Sequence, residues 1–150
     1  MEIHADDYLR RMAFHEAGHA VVAWLLNLRV ESICIREIGV GNSQTKTDPP
    51  DDLPLMHQLA MLAAGVEAGW AFNCPLPEQA GYRDRLMAIT LVREHHEGLA
   101  WDEIQSHLAT GHALARELLL EHRNTVIRVA EHLRDVRHID AAEFLGLMSA

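Results

Sequence analysis

The run Phe14-His15-Glu16-Ala17-Gly18-His19-Ala20-Val21-Val22-Ala23-Trp24-Leu25-Leu26 sets charged and imidazole side chains inside an otherwise apolar segment. With its flanks it reads as a helix over residues 8–28, its start capped by Asp6 or Asp7. Beyond Ala17 the helix is apolar nearly all round, the mark of a buried central element rather than a surface one. Everything else in the chain is expected to pack around it.

Outward from this helix the pattern changes period. Val30 to Ile38 alternates and is rich in β-branched residues, so a strand is expected there. Gly39, Gly41 and Asn42 mark a turn leading to a second short strand, and Thr47 to Pro54 reads as a loop. Residues 55–72 form a second helix whose small residues let the first helix approach closely. Residues 73–81 form a loop, 83–97 a third helix stopped by Gly98, and 101–135 a long helical stretch interrupted at Gly111. A last helix covers 141–148. Asp140 and Glu143 fit a capping box at its start, and Ile139 with Phe144 fits a hydrophobic staple. The expected fold is mainly α with a small β element, an α+β arrangement in one domain over 1–150.

Composition narrows the function classes. The chain of 150 residues is 49% hydrophobic and only 5% aromatic, which suits a helical core. A formal net charge of −9 argues against nucleic acid as a partner, since phosphate binders need a basic face. Cys34 and Cys74 belong to no CxxC pair and read as reduced thiols in a cytoplasmic setting. Met1 to Asp7 is acidic and without an apolar stretch, so no targeting segment is expected. The apolar runs Ala20 to Leu26 and Leu59 to Phe72, the latter broken by Glu67, are too short or too interrupted for a membrane span.

His15-Glu16-Ala17-Gly18-His19 is an HExxH motif. Residues four apart lie one turn apart on the same helix face, so both imidazoles can reach one zinc ion. Glu16 points about 100° away around the helix. From there it can serve a zinc-activated water as general base without being a ligand. A chain with 11 histidines produces such a motif by chance now and then. Two histidines and a glutamate inside an apolar helix are costly to bury without partners, however, and a metal satisfies all three. A catalytic zinc takes three protein ligands, and the positions three and six after His19 are Val22 and Leu25, so the metzincin extension is absent. Glu67, Asp84, Glu94, His95 and His96 remain as candidates for the third ligand, and spacing does not choose among them. His112, His122 and His132 do not share a helix face and read as surface residues.

Phe14 to Leu26 resembles the zinc-binding helix of the FtsH-type ATP-dependent proteases. Leu59-Ala-Met-Leu-Ala-Ala-Gly-Val-Glu-Ala68 resembles the small-residue helix of that family, usually GGRAAEE. Gly81-Tyr-Arg-Asp-Arg-Leu-Met-Ala88 resembles its ASNDLxxAT segment, with Asp84 on the aspartate. Ala115 to Asn124, Val129 to Leu133 and Ile139-Asp140 resemble its C-terminal helices, so the resemblance covers most of the chain in order. It implies an FtsH-peptidase-like helical zincin domain with a central HExxH helix. The implied zinc ligands are His15, His19 and Asp84, and Glu16 is the implied catalytic base. It also implies a strand near residues 31–38 that holds an extended substrate, and a hexameric ring. Departures are plain: no GxxxxGK[ST] motif occurs, Arg83 and Arg85 flank the aspartate in place of asparagine and leucine, and Glu67 is out of step with the family glutamates. The expected activity is a zinc-dependent, ATP-independent endopeptidase acting on unfolded chains or peptides, with a separate ATPase as partner for folded ones. The alternatives are a catalytically inactive metal-binding interaction module of the same fold, and a zinc hydrolase of another small substrate.

Overall fold

The computed structural model describes residues 4–150; the acidic Met1–Ile3 segment of the N-terminus read above lies outside them. Helix α1 runs Ala5–Leu25, followed by strands β1 (Arg29–Cys34) and β2 (Gln44–Asp48) and helix α2 (Leu55–Ala71). A 3-10 turn at Glu78–Gly81 leads into α3 (Tyr82–His95), then come α4 (Trp101–Glu121), α5 (Arg123–Val136), strand β3 (His138–Asp140) and α6 (Ala141–Met148). The expected mainly helical α+β arrangement is present.

Helix α1 is the centre, as its apolar circumference requires. It packs against α2 on one side, α5 on another, and lies against the sheet. Ala17, Ala20, Val21, Val22 and Ala23 are fully buried. Each buried valine contributes roughly 1.5–3 kcal/mol from apolar area removed from water. Asp6 and Asp7 stand in the first turn rather than at the cap, which falls on His4 without a side-chain hydrogen bond. Carboxylates there face the positive end of the helix dipole. The helix ends three residues earlier than expected because Asn27 adopts a left-handed backbone (φ 68°).

Gly18 sets the α1–α2 spacing. A Cβ there would lie 2.6 Å from the Cβ of Ala68 and 2.7 Å from the carbonyl oxygen of Ala64. The long helical stretch expected over 101–135 breaks at His122, not at Gly111. Gly111 is buried within α4 because a Cβ would meet the Cβ of Leu59 on α2 at 2.7 Å. The break at His122 lets α4 lie along α2 while α5 turns back onto α1. Leu59, Ala88, Val92, Ile104 and Leu108 form a second, smaller core between α2, α3 and α4.

The sheet has the order β2-β1-β3 and is antiparallel throughout. β1 pairs with β2 from Arg29↔Asp48 to Cys34↔Gln44, with a bulge between Val30 and Ser32, and with β3 at Ser32↔Asp140 and Cys34↔His138. The strand expected to Ile38 stops at Cys34, because Arg36 turns its amide to the Ser43 hydroxyl (2.9 Å) and closes the loop to β2. Thr47, expected in a loop, belongs to β2. β3 was not legible beforehand, being three residues whose role is to fill the second edge of β1. From Ser32 to Cys34 β1 is paired on both edges and has no free edge there for an added strand; the outer edges of the sheet belong to β2 and β3. At α6 the Asp140 carboxylate accepts from the amide of Glu143 (2.8 Å), one half of the expected capping box. Ile139 and Phe144 are both buried. Cys34 and Cys74 are free thiols. No helix among the described residues is long and apolar enough to cross a membrane.

Candidate metal centre

His15 and His19 stand one turn apart on α1, on the face turned towards α2 and the start of α3. Asp84 sits in the first turn of α3. The turn at Glu78–Gly81 delivers it there, 65 residues after His19 in sequence. The Nε2 atoms of the two histidines are 3.3 Å apart. Oδ2 of Asp84 lies 3.2 Å from Nε2 of His19 and 3.8 Å from Nε2 of His15. A tetrahedral zinc with arms of 2.0–2.1 Å sets its ligand atoms about 3.3 Å apart. The three donor atoms therefore have the spacing of three corners of such a site. Of the five candidates for a third ligand, only Asp84 joins the histidines.

The surroundings favour donor atoms facing a shared centre. Nδ1–H of His19 donates to the carbonyl oxygen of Met61 on α2 (2.7 Å). That bond fixes the ring and reserves Nε2 for the centre, the usual arrangement behind a metal-ligating histidine. Burial works against a charged His19, but the Asp84 hydrogen bond, the charges of Glu16 and Asp84 and the Met61 carbonyl outweigh it and push its pKa up to about 9. Burial likewise opposes ionisation of Asp84, yet hydrogen bonds and charge from His15 and His19 hold it well below the usual carboxylate range.

Helix α2 supplies the floor through Gly65. A Cβ at that position would lie 2.5 Å from Nε2 of His15 and 2.5 Å from Nε2 of His19. Glycine here is what leaves room between the imidazoles and the α2 backbone. Donor chemistry, spacing and this cradle all fit a divalent ion such as zinc.

Glu16 is buried at 6% exposure. The Thr45 hydroxyl on β2 donates to its Oε2 and also lies 3.0 Å from its backbone oxygen. β2 thus passes directly beside Glu16. Thr45 and Gly65 escaped the sequence reading. The alternation of Thr45 and Thr47 with exposed polar residues in β2 was the available signal for the first. Small-residue content alone marked α2, without singling out Gly65.

The remaining candidates lie elsewhere. Glu67 is buried, but it accepts from Nδ1–H of His112 (2.9 Å) and from Arg116 through both carboxylate oxygens (3.1 Å each). Burial raises its pKa, and these bonds more than reverse the effect, leaving it lowered. His112, expected on the surface, is thus half-buried between α2 and α4. His122 and His132 are also half-buried. Glu94, His95 and His96 end α3, where His95 hydrogen-bonds the Leu91 carbonyl and His96 stacks on His107.

Three side chains from two helices grouped this closely define a metal-binding type of site. No model of a known protein family matches the chain, and no curated protein matches it.

Proposed function

We propose that the chain binds one zinc ion through His15, His19 and Asp84 and hydrolyses peptide bonds in unfolded chains or peptides, in the manner of an FtsH-type peptidase. The observation that carries it is the convergence of two imidazole nitrogens and a carboxylate oxygen at tetrahedral spacing, with Glu16 as the residue next to the first ligand. When bound, zinc supplies Lewis acidity towards a carbonyl oxygen and acidifies water. The chain's own residues do the rest. Glu16 takes the proton of the attacking water on its carboxylate and returns it to the departing amine. Thr45 holds Oε2, which leaves Oε1 for that proton and fixes the rotamer. An extended substrate adds to the outer edge of β2, where main-chain hydrogen bonds carry binding. The Thr45–Glu16 contact brings that edge strand beside the base.

A second reading, a catalytically inactive metal-binding module, shares everything as far as the metal. It is favoured by the engagement of the Glu16 carboxylate with Thr45, a structural contact that needs no chemistry. One experiment separates the two. Purified protein carries about one zinc per chain under either. Under the first it cleaves an unfolded substrate such as casein, and Glu16→Gln abolishes cleavage while keeping the metal. Wild type and Glu16→Gln that both bind zinc and are equally inert would establish the module instead.

A further inference from the structure

A cavity of about 610 Å³ opens beside the metal triad, and His15 forms part of its wall. Its size is that of a ligand pocket rather than a packing defect. The lining is divided by chemistry. Val66 from α2 and Pro75, Leu76 and Pro77 from the connection to α3 make an apolar side. Trp70 and Tyr82 also line it, yet they are 69% and 60% exposed. Two aromatic rings left this open at the mouth of a cavity offer apolar surface to a ligand rather than to the core.

The charged lining of the cavity is Arg11, Arg85 and Glu78, the last being the only acidic lining residue among the described residues. Arg11 pairs with Asp7 (2.7 Å) and donates to the Pro75 carbonyl, which braces the wall. Arg85 is exposed and makes no ion pair among the described residues. It follows Asp84 on α3 and lines the same cavity as His15.

We propose that this cavity is a specificity subsite taking an apolar side chain, and that Arg85 binds a carboxylate adjacent to that residue. The inference rests on the peptide-binding reading given above and narrows its substrate class to segments in which an apolar residue stands next to a carboxylate, at a chain end or on a side chain. Arginine suits the task because its planar fork meets a carboxylate with two parallel hydrogen bonds.

The test is calorimetric binding to full-length Glu16→Gln protein, so turnover plays no part. The probes are acetyl-Gly-Phe as free acid, the same peptide as its amide, acetyl-Gly-Gly as free acid, and acetyl-Gly-Phe-Asp amide. The free acid of the Phe peptide is expected to bind about tenfold tighter than its amide, the effect of one charge-assisted contact. It should also bind about tenfold tighter than the Gly-Gly acid, the effect of one buried aromatic side chain. The Asp amide separates the two carboxylate sources: binding like the acid admits side chains, binding like the amide restricts the site to chain ends, and either agrees with the proposal. In the Arg85→Ala background the acid and amide should bind equally while the preference for Phe persists. Equal binding of acid and amide to the protein carrying Arg85 overturns the assignment. So does an acid preference that survives Arg85→Ala, which would place the carboxylate on the metal. If none of the peptides binds while zinc content stays at one per chain, the subsite falls and the metal site stands.

Discussion

Gly65→Ala separates metal binding from folding more cleanly than removal of a ligand. The added Cβ would lie 2.5 Å from Nε2 of both His15 and His19, 0.9 Å short of the 3.4 Å at which ordinary van der Waals contact begins. The atoms it meets are the far ends of two side chains, so the rings must give before the helix backbones do, His19 at the expense of its bond to the Met61 carbonyl. Swinging aside removes the donor atoms from their 3.3 Å spacing. In the metal-free protein that cost is opposed by replacing a glycine in a helix interior, which favours folding by about 1 kcal/mol. In the zinc form two ligands are displaced at once. Disturbing a single supporting contact costs 10–100-fold in metal affinity, so a loss of at least about 100-fold is expected here. Competition with a chromophoric chelator gives the affinity, and thermal unfolding in EDTA gives the stability of the metal-free form. The substitution should abolish tight zinc binding and leave the EDTA melting temperature within a few degrees of wild type. Wild-type zinc affinity in Gly65→Ala would refute the placement of the site against α2.

Further expectations follow from the same geometry. Zinc must displace the proton that His19 holds with a pKa of about 9, so the apparent affinity should rise about tenfold per pH unit from pH 7 and level off near pH 9. In metal-free protein the raised His19 value stabilises fully below 6.5 and is lost as pH rises through about 9. The depressed Asp84 value stabilises above 3.8 and is lost as pH falls below it. Melting in EDTA should therefore peak between these two limits. Thr45→Val removes the hydroxyl that holds Glu16; zinc content should be unchanged and casein turnover reduced about tenfold. Glu67→Gln weakens the link between α2 and α4. Because the Glu67 carboxyl is lowered from 4.5, its contribution is complete above that pH and is lost in acid, so denaturant midpoints of wild type and variant should differ at pH 7 and converge as the pH falls.

The sequence pattern carried the centre of this molecule further than its edges. An apolar helix with imidazoles four residues apart was enough to place α1 at the core and to turn both rings to one face. Those are consequences of helical period and burial, which are local properties. Asp84 was one of five carboxylates and imidazoles on the residues alone, because what distinguishes it is the path of residues 73–81, a tertiary matter. Glu67 shows the same limit from the other side. Its burial demanded a partner, and only the packing of α4 on α2 shows that the partner is Arg116 with His112 instead of a metal. Gly111 looked like a helix break for want of knowing that Leu59 lies against it. The strand expected through Ile38 proved to be the middle of a sheet, which moves any added strand to the edge occupied by β2.

Zinc content per chain, measured after gel filtration on wild type, Asp84→Ala and Glu67→Ala, tests the centre most directly. About one zinc should remain in wild type and in Glu67→Ala, and none in Asp84→Ala. Zinc retained by Asp84→Ala and lost from Glu67→Ala would contradict the assignment of the third ligand and the site built on it.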